Sequence, residues 1–261
     1  MAMTAVGTAA LERPAPTTKE VKVWSALPLV AMVGIVFAIC GSWRWYQQME
    51  GFKSGLDASE AIFWEKWLPL FYLNLAVGGL FQAGIPIYLW LTRDRALSKV
   101  TPEVELQRYF LFFAMLVTMT VTQTIAIVFG ATDAAWHQVV VRDTSLTPSH
   151  IVLFFGTVPL FTTVALAAFF YALTRIPDFS RGIPLALLLA VLAPFMVLPS
   201  VAFNEWGHAF WLMEELFIAP LHWGFVVLSW CFMALLGVVG QSLPRVAELV
   251  RQTSGGPAIV R

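Results

Sequence analysis

Residues 67–91, WLPLFYLNLAVGGLFQAGIPIYLWL, run without one charged side chain and decide the class of fold. At about 1.5 Å of rise per residue, a helix of this length covers the ~30 Å hydrocarbon core of a bilayer. Comparable apolar runs lie at Val23–Trp43 before it and at Tyr109–Phe129, His150–Leu173, Ile183–Val201 and Leu216–Gly240 after it. In hydrocarbon every backbone N–H and C=O must find a partner within the protein, so each run is expected to be helical. The expected fold is all-α, a polytopic integral membrane bundle of about six transmembrane helices. Pro194 and Pro199 are expected to kink the fifth. One transmembrane domain over 21–243 is expected, flanked by a poorly ordered tail at 1–20, rich in Ala, Thr and Pro, and a tail at 244–261. The first run is too long, and too poor in a small-residue cleavage site, to read as a signal peptide.

Composition agrees. Of 261 residues, 59% are hydrophobic and 12% charged, and the mean hydropathy is +0.75. A soluble domain carries roughly a quarter charged residues. Sixteen basic and sixteen acidic residues cancel, which leaves no footprint for nucleic acid. Cys40 and Cys231 sit far apart inside apolar runs and read as inert buried thiols.

Basic residues set the expected orientation. Twelve of the sixteen fall in the N-terminal segment, in the connections around 92–108 and 174–182, and in the C-terminal segment; four fall in the other connections. Both termini are therefore expected in the cytoplasm, with the connections around 44–66, 130–149 and 202–216 facing outward. Trp43, Trp45, Trp64 and Trp67 flank the first of these, as indoles do at a membrane interface.

The four histidines all fall on the outward side, in two parallel patterns: Asp133, His137, Pro148, His150 and Asn204, His208, Pro220, His222. Residues i and i+4 of a helix share a face, so both side chains of such a pair can reach one ion. Proline suits a first helical turn, so Pro148 and Pro220 are read as helix starts, each aiming a histidine back at the preceding pair. Two candidate metal sites result, Asp133/His137/His150 and Asn204/His208/His222. A single His–x₃–Asp pair is often only a hydrogen bond, and an Asn amide is a weak, neutral ligand. Ionisable groups at membrane depth are nevertheless costly and usually functional. Two imidazoles with one oxygen suit non-haem iron, zinc or copper, while no histidine pair at one mid-span depth favours a bis-His haem. Glu205, Glu214 and Glu215 in the third outward loop are candidates for tuning a site, or for plain solvation. Arg142 and Asp143 read as a loop-fixing pair.

The stretches WHQVVVRDTSLTPSHIV (136–152), PFMVLP (194–199) and NEWGHAFWLMEELFIAPLHWGFV (204–226), with TRDRAL (92–97) and TRIPDF (174–179), resemble the C subunit of the particulate methane and ammonia monooxygenases. The resemblance runs over roughly 60–241. It implies a subunit working with A and B partners in a trimeric assembly, copper as cofactor, quinol as reductant, and O₂-dependent hydroxylation of methane, a short gaseous alkane or ammonia. Its copper ligands fall on Asp133, His137 and His150, and a second copper set on Asn204, His208 and His222; all six are the candidate catalytic residues. Ala131–Thr132 stand where relatives often carry more polar residues, which removes no ligand. A gaseous hydrocarbon is the leading substrate and ammonia the alternative. A metal-stabilised structural subunit and a transporter or proton channel are the competing classes.

Overall fold

The computed structural model describes residues 25–51, 59–140, 156–192, 195 and 214–254, with the backbone alone over 130–140 and 214–229. The described residues form helices and no strand. Helix α1 is Leu27–Tyr46, α2 Leu68–Leu91, α3 Pro102–Val140, α4 Val158–Arg175, α5 the short Pro177–Ser180, α6 residues 185–192 and α7 Glu214–Thr253. π-helical turns, Gln47–Gly51 and Phe63–Trp67, extend α1 and precede α2. Among the described residues, five stretches are long and apolar enough to cross a membrane: Leu27–Glu50, Phe63–Leu91, Pro102–Phe129, Val158–Arg175 and Trp230–Thr253. The expected fifth run, Ile183–Val201, contributes α6; Pro194 and Pro199 lie outside the described residues. The chain is a helical membrane bundle.

Local sequence explains the ends. Pro28, Pro69 and Pro159 occupy the first turns of α1, α2 and α4, where a missing N–H costs nothing. Helix α3 begins seven residues before the apolar run at Tyr109, because Glu103 and Glu105 suit its positive N-terminal end. Helix α7 likewise continues past Gly240 to Thr253.

Helix α3 is the spine: α1, α4 and α7 pack on it, and α2 packs on α4. Phe112 and Met119 of α3 meet Phe161 and Ala165 of α4, Leu187 of α6 and Cys231 and Val238 of α7 in one core. In lipid the drive for such packing is close contact rather than escape from water. The small side chains Ala165, Ala168 and Ala172, all fully buried, let α4 approach closely. The outer surface is apolar, with Tyr72, Leu73, Leu80 and Phe81 of α2 exposed as a lipid-facing helix requires.

One end of the bundle is closed by a polar latch. The hydroxyls of Thr92 and Thr174 donate to the carbonyls of Tyr88 (2.7 Å) and Phe170 (2.6 Å), finishing α2 and α4 in the same way. The Asp94 amide donates to the Thr174 carbonyl, and the Arg175 guanidinium donates to the carbonyl and hydroxyl of Thr92. Arg108 of α3 donates to the Arg175 carbonyl and to the Asp94 carboxylate, each at 2.7 Å. Arg245 of α7 forks onto buried Glu105 at 2.8 and 2.6 Å, and the Tyr109 hydroxyl donates to Asp178 at 3.2 Å. The hydrogen bond from Arg108, helped by the Ala96 amide, holds the Asp94 carboxyl below its usual range. The basic connections at 92–108 and 174–182 thus meet at one end, as their charge predicted.

Candidate metal centre

Helix α3 runs unbroken past Phe129, where the apolar run of the sequence ends, to Val140. Asp133 and His137 therefore stand one turn apart on a single helix. Their register is informative. Stepping back from Asp133 by sevens meets Ala126 (7% exposed), Met119 (0%), Phe112 (0%) and Glu105 (3%). From His137 the same step passes Gly130 and meets Gln123 (0%), Leu116 (4%) and Tyr109 (1%). Seven residues are nearly two turns, with a drift of about 20°. In helix register Asp133 thus follows buried Ala126 with an offset of about 20°, and His137 follows buried Gln123 with an offset of about 40°.

His222 lies on α7, which packs along α3 in the opposite direction. The Glu105–Arg245 pair sets their mutual level. Along the helix axes Asp133 and His137 stand about 42 and 48 Å from that pair, and His222 about 34 Å. All three positions lie toward the end remote from the latch, with His222 at its own level.

His150, Asn204 and His208 lie outside the described residues, as do Glu205, Arg142 and Asp143. Among the described residues no three His, Cys, Asp or Glu side chains gather at one point. One expectation needs correction. Pro220 does not open a helix; it lies six residues inside α7, and Glu214 and Glu215 begin that helix rather than sit in a loop. Membrane helices tolerate such a proline because neighbouring groups satisfy the freed carbonyl.

The sequence profile of the family described as the C subunit of ammonia monooxygenase/methane monooxygenase matches residues 11–253. The chain belongs to that family. A comparison with curated proteins returned no match. As a monooxygenase C subunit, the chain is one component of a multi-subunit membrane enzyme.

Sequence reasoning missed two features of this monooxygenase C subunit. The latch joins TRDRAL to TRIPDF, and the repeated Thr–Arg at both helix ends was a visible signal that two like termini meet. The second feature is at the opposite end. Among the described residues, Gln47 and Trp67, both 0% exposed, carry side-chain N–H groups with no hydrogen-bond partner, and so does Asn74. No sequence pattern announces a buried, unsatisfied donor. Beside them Trp43 stacks edge-on with Tyr46, and Tyr46 with Trp67 (centroids 6.2 and 5.7 Å). Lys66 pairs with Glu50 across the two π turns. Gly156, six residues after His150, seats the Trp43 ring; a Cβ there would stand 2.8 Å from Trp43 Cδ1.

Proposed function

We propose that this chain is the membrane-embedded C subunit of a copper-dependent monooxygenase that hydroxylates a small gaseous substrate, methane or a short alkane, with O₂. The observation that carries the reading is the unbroken helix Pro102–Val140, which keeps Asp133 and His137 one turn apart, in a chain of the C-subunit family. In the proposal Asp133, His137 and His150 hold one copper, and Asn204, His208 and His222 a second. A carboxylate beside two imidazoles fits a divalent transition metal. Copper bound there supplies the redox chemistry that O₂ activation requires.

The chain's own contribution is to hold and to exclude. Asp133 offsets the ion's charge, His137 on the same helix fixes the direction of a second ligand, and His150 completes the set. The apolar bundle below the site, with Met119, Phe112 and Phe161 fully buried, keeps water out and is a good solvent for an apolar gas. The A and B partners complete a trimeric assembly, quinol is the reductant, both termini face the cytoplasm, and the metal end faces outward. Ammonia is the alternative substrate, and the amide of Asn204 makes the second set the weaker one.

The test uses Asp133→Ala and His137→Ala in the assembled complex, with copper measured by mass spectrometry and oxidation assayed on ethane and on ammonia. Expected is the loss of one site's copper per copy of this chain and a fall of at least about tenfold in turnover. Full copper and full turnover in both variants overturn the proposal. Normal oxidation by an assembled, copper-depleted variant makes the site structural. Faster turnover of ammonia than of ethane by the unaltered complex reassigns the substrate.

A further inference from the structure

Residues 92–101 join α2 to α3 and carry the TRDRAL stretch. Their charged side chains are Arg93, Asp94, Arg95 and Lys99. The latch separates the acid from the cations. One Asp94 carboxylate oxygen accepts from the Ala96 amide (2.9 Å) and the other from Arg108 of α3 (2.7 Å). Arg93 folds back over the end of α2. Its Nη1 donates to the Trp90 carbonyl at 2.9 Å, and its guanidinium stands 4.9 Å from the centre of the Trp90 ring. Arg95 and Lys99 are left over. Both are exposed, and among the described residues neither pairs with a carboxylate. The Lys99 amide donates to the Ala96 carbonyl at 2.8 Å and closes the 3₁₀ turn Leu97–Lys99. Two long cationic side chains therefore leave either side of one tight turn, and both can reach one anion.

The level of that turn says what carries the anion. Tyr88, Trp90 and Leu91, the last turn of α2, are exposed, as aromatic and apolar groups are where a span meets the membrane interface. Arg95 follows Leu91 by four residues. The connection does not lead away from the membrane, because the Asp94 amide donates to the Thr174 carbonyl and holds the chain at the last turn of α4. Arg95 and Lys99 thus stand in the headgroup layer, roughly 5–7 Å thick, that lies directly beyond the hydrocarbon. We infer that they bind the phosphate of an anionic phospholipid whose acyl chains lie along the end of α2 at Tyr88 and Leu91. The two free cations call for an anion, and the exposed turn beneath them calls for an apolar chain; a phospholipid supplies both in that order. A lipid with net negative charge is selected over a zwitterionic one, whose own ammonium competes for the phosphate. Pairing Asp94 with Arg108 is what leaves the turn cationic, so the latch prepares the site. The inference is independent of the metal proposal, since no proposed ligand takes part.

The test titrates dioleoyl-phosphatidylglycerol into the delipidated complex and counts bound lipid by native mass spectrometry. The unaltered complex is compared with the double variant Arg95→Gln/Lys99→Gln and with Arg251→Gln, whose guanidinium already faces Glu248 at 3.9 Å. A basic group near an anionic lipid is worth about fivefold in affinity, so the double variant is expected to bind about thirtyfold more weakly. Arg251→Gln should bind as the unaltered complex does, and dioleoyl-phosphatidylcholine should not distinguish the three. Equal affinity of phosphatidylglycerol for the unaltered complex and the double variant overturns the inference, as does equal affinity of the two lipids for the unaltered complex. Inorganic phosphate that binds as tightly as the lipid makes this a site for a free anion and overturns it too. A carbodiimide cross-link from Lys99 to a carboxylate of another subunit, formed in the native membrane, replaces the lipid with a protein partner.

Discussion

Gly156 and Trp43 show how much one hydrogen can matter. A methyl at position 156 would stand 2.8 Å from Trp43 Cδ1 and 3.0 Å from Cγ, closer than carbon atoms approach. Either the indole leaves its seat or the start of α4 moves. Gly156→Ala is expected to destabilise the assembled protein by about 1–3 kcal/mol, read as a lower midpoint of thermal unfolding in detergent. Gly34→Ala, in α1 with nothing within 4 Å, is the control and should be neutral or slightly stabilising, because alanine is the better helix former. At this scale the sequence was a poor guide to surroundings. Four histidines in two parallel spacings stood out because imidazoles are scarce in an apolar chain. The Trp43 seat did not, because a glycine's role depends on what folds against it. Pro220 was misjudged because a proline that opens a helix and one tolerated inside a membrane helix look alike in one dimension.

Among the elements, α3 carries the most testable geometry. Its core stripe descends by sevens from Ala126 to Glu105, and helix register alone ties the proposed ligands to that stripe. Inserting one alanine after Phe129 turns everything beyond by about 100°. The expected result is loss of the copper assigned to Asp133 and His137 while Glu105 and Arg245 stay paired and the bundle still assembles. Metal analysis against the size-exclusion profile decides it, and unchanged copper would mean that register at this point is unimportant. The apolar runs located the helices well. They set the start of α3 seven residues late because Glu105 and Arg108 looked too polar to belong to a span. Each is neutralised, by Arg245 and by Asp94, and that long-range pairing is invisible in a local window. The core stripe was not legible, since a span apolar on every side hides which of its faces meets protein and which meets lipid.

For the molecule as a whole, the latch is the place to probe stability. Glu105 is 3% exposed and its partner Arg245 35%. Arg245→Met leaves a buried carboxylate without its cation and is expected to cost about 2–3 kcal/mol, less than for a wholly buried pair because the arginine keeps some solvent. Adding Glu105→Leu to that variant should restore most of the loss; a double variant as unstable as the single would mean that the pair does more than neutralise itself. Acid offers a second probe. The Asp94 carboxyl is held below its ordinary value, chiefly by Arg108. Its contribution is therefore complete above about pH 4 and is lost as the pH falls through the lowered folded value. Thermal scans from pH 6 downward should show that decline, and Asp94→Asn should remove it. The clustering of lysine and arginine foretold that these connections share an end, but not that they interlock.

Fixing α3 at one end also makes it a lever. The pivot is the clasp of Arg245 on Glu105, and the arm, which tilts only together with α1, α4 and α7 packed on it, reaches Asp133 about 42 Å away. A tilt of about 5° at the pivot sweeps that arm roughly 4 Å, about twice the length of a bond from a transition metal to nitrogen. At the proposed metal site, small slackening in the loops at one end of the bundle would thereby be felt as a gain or loss of coordination at the other.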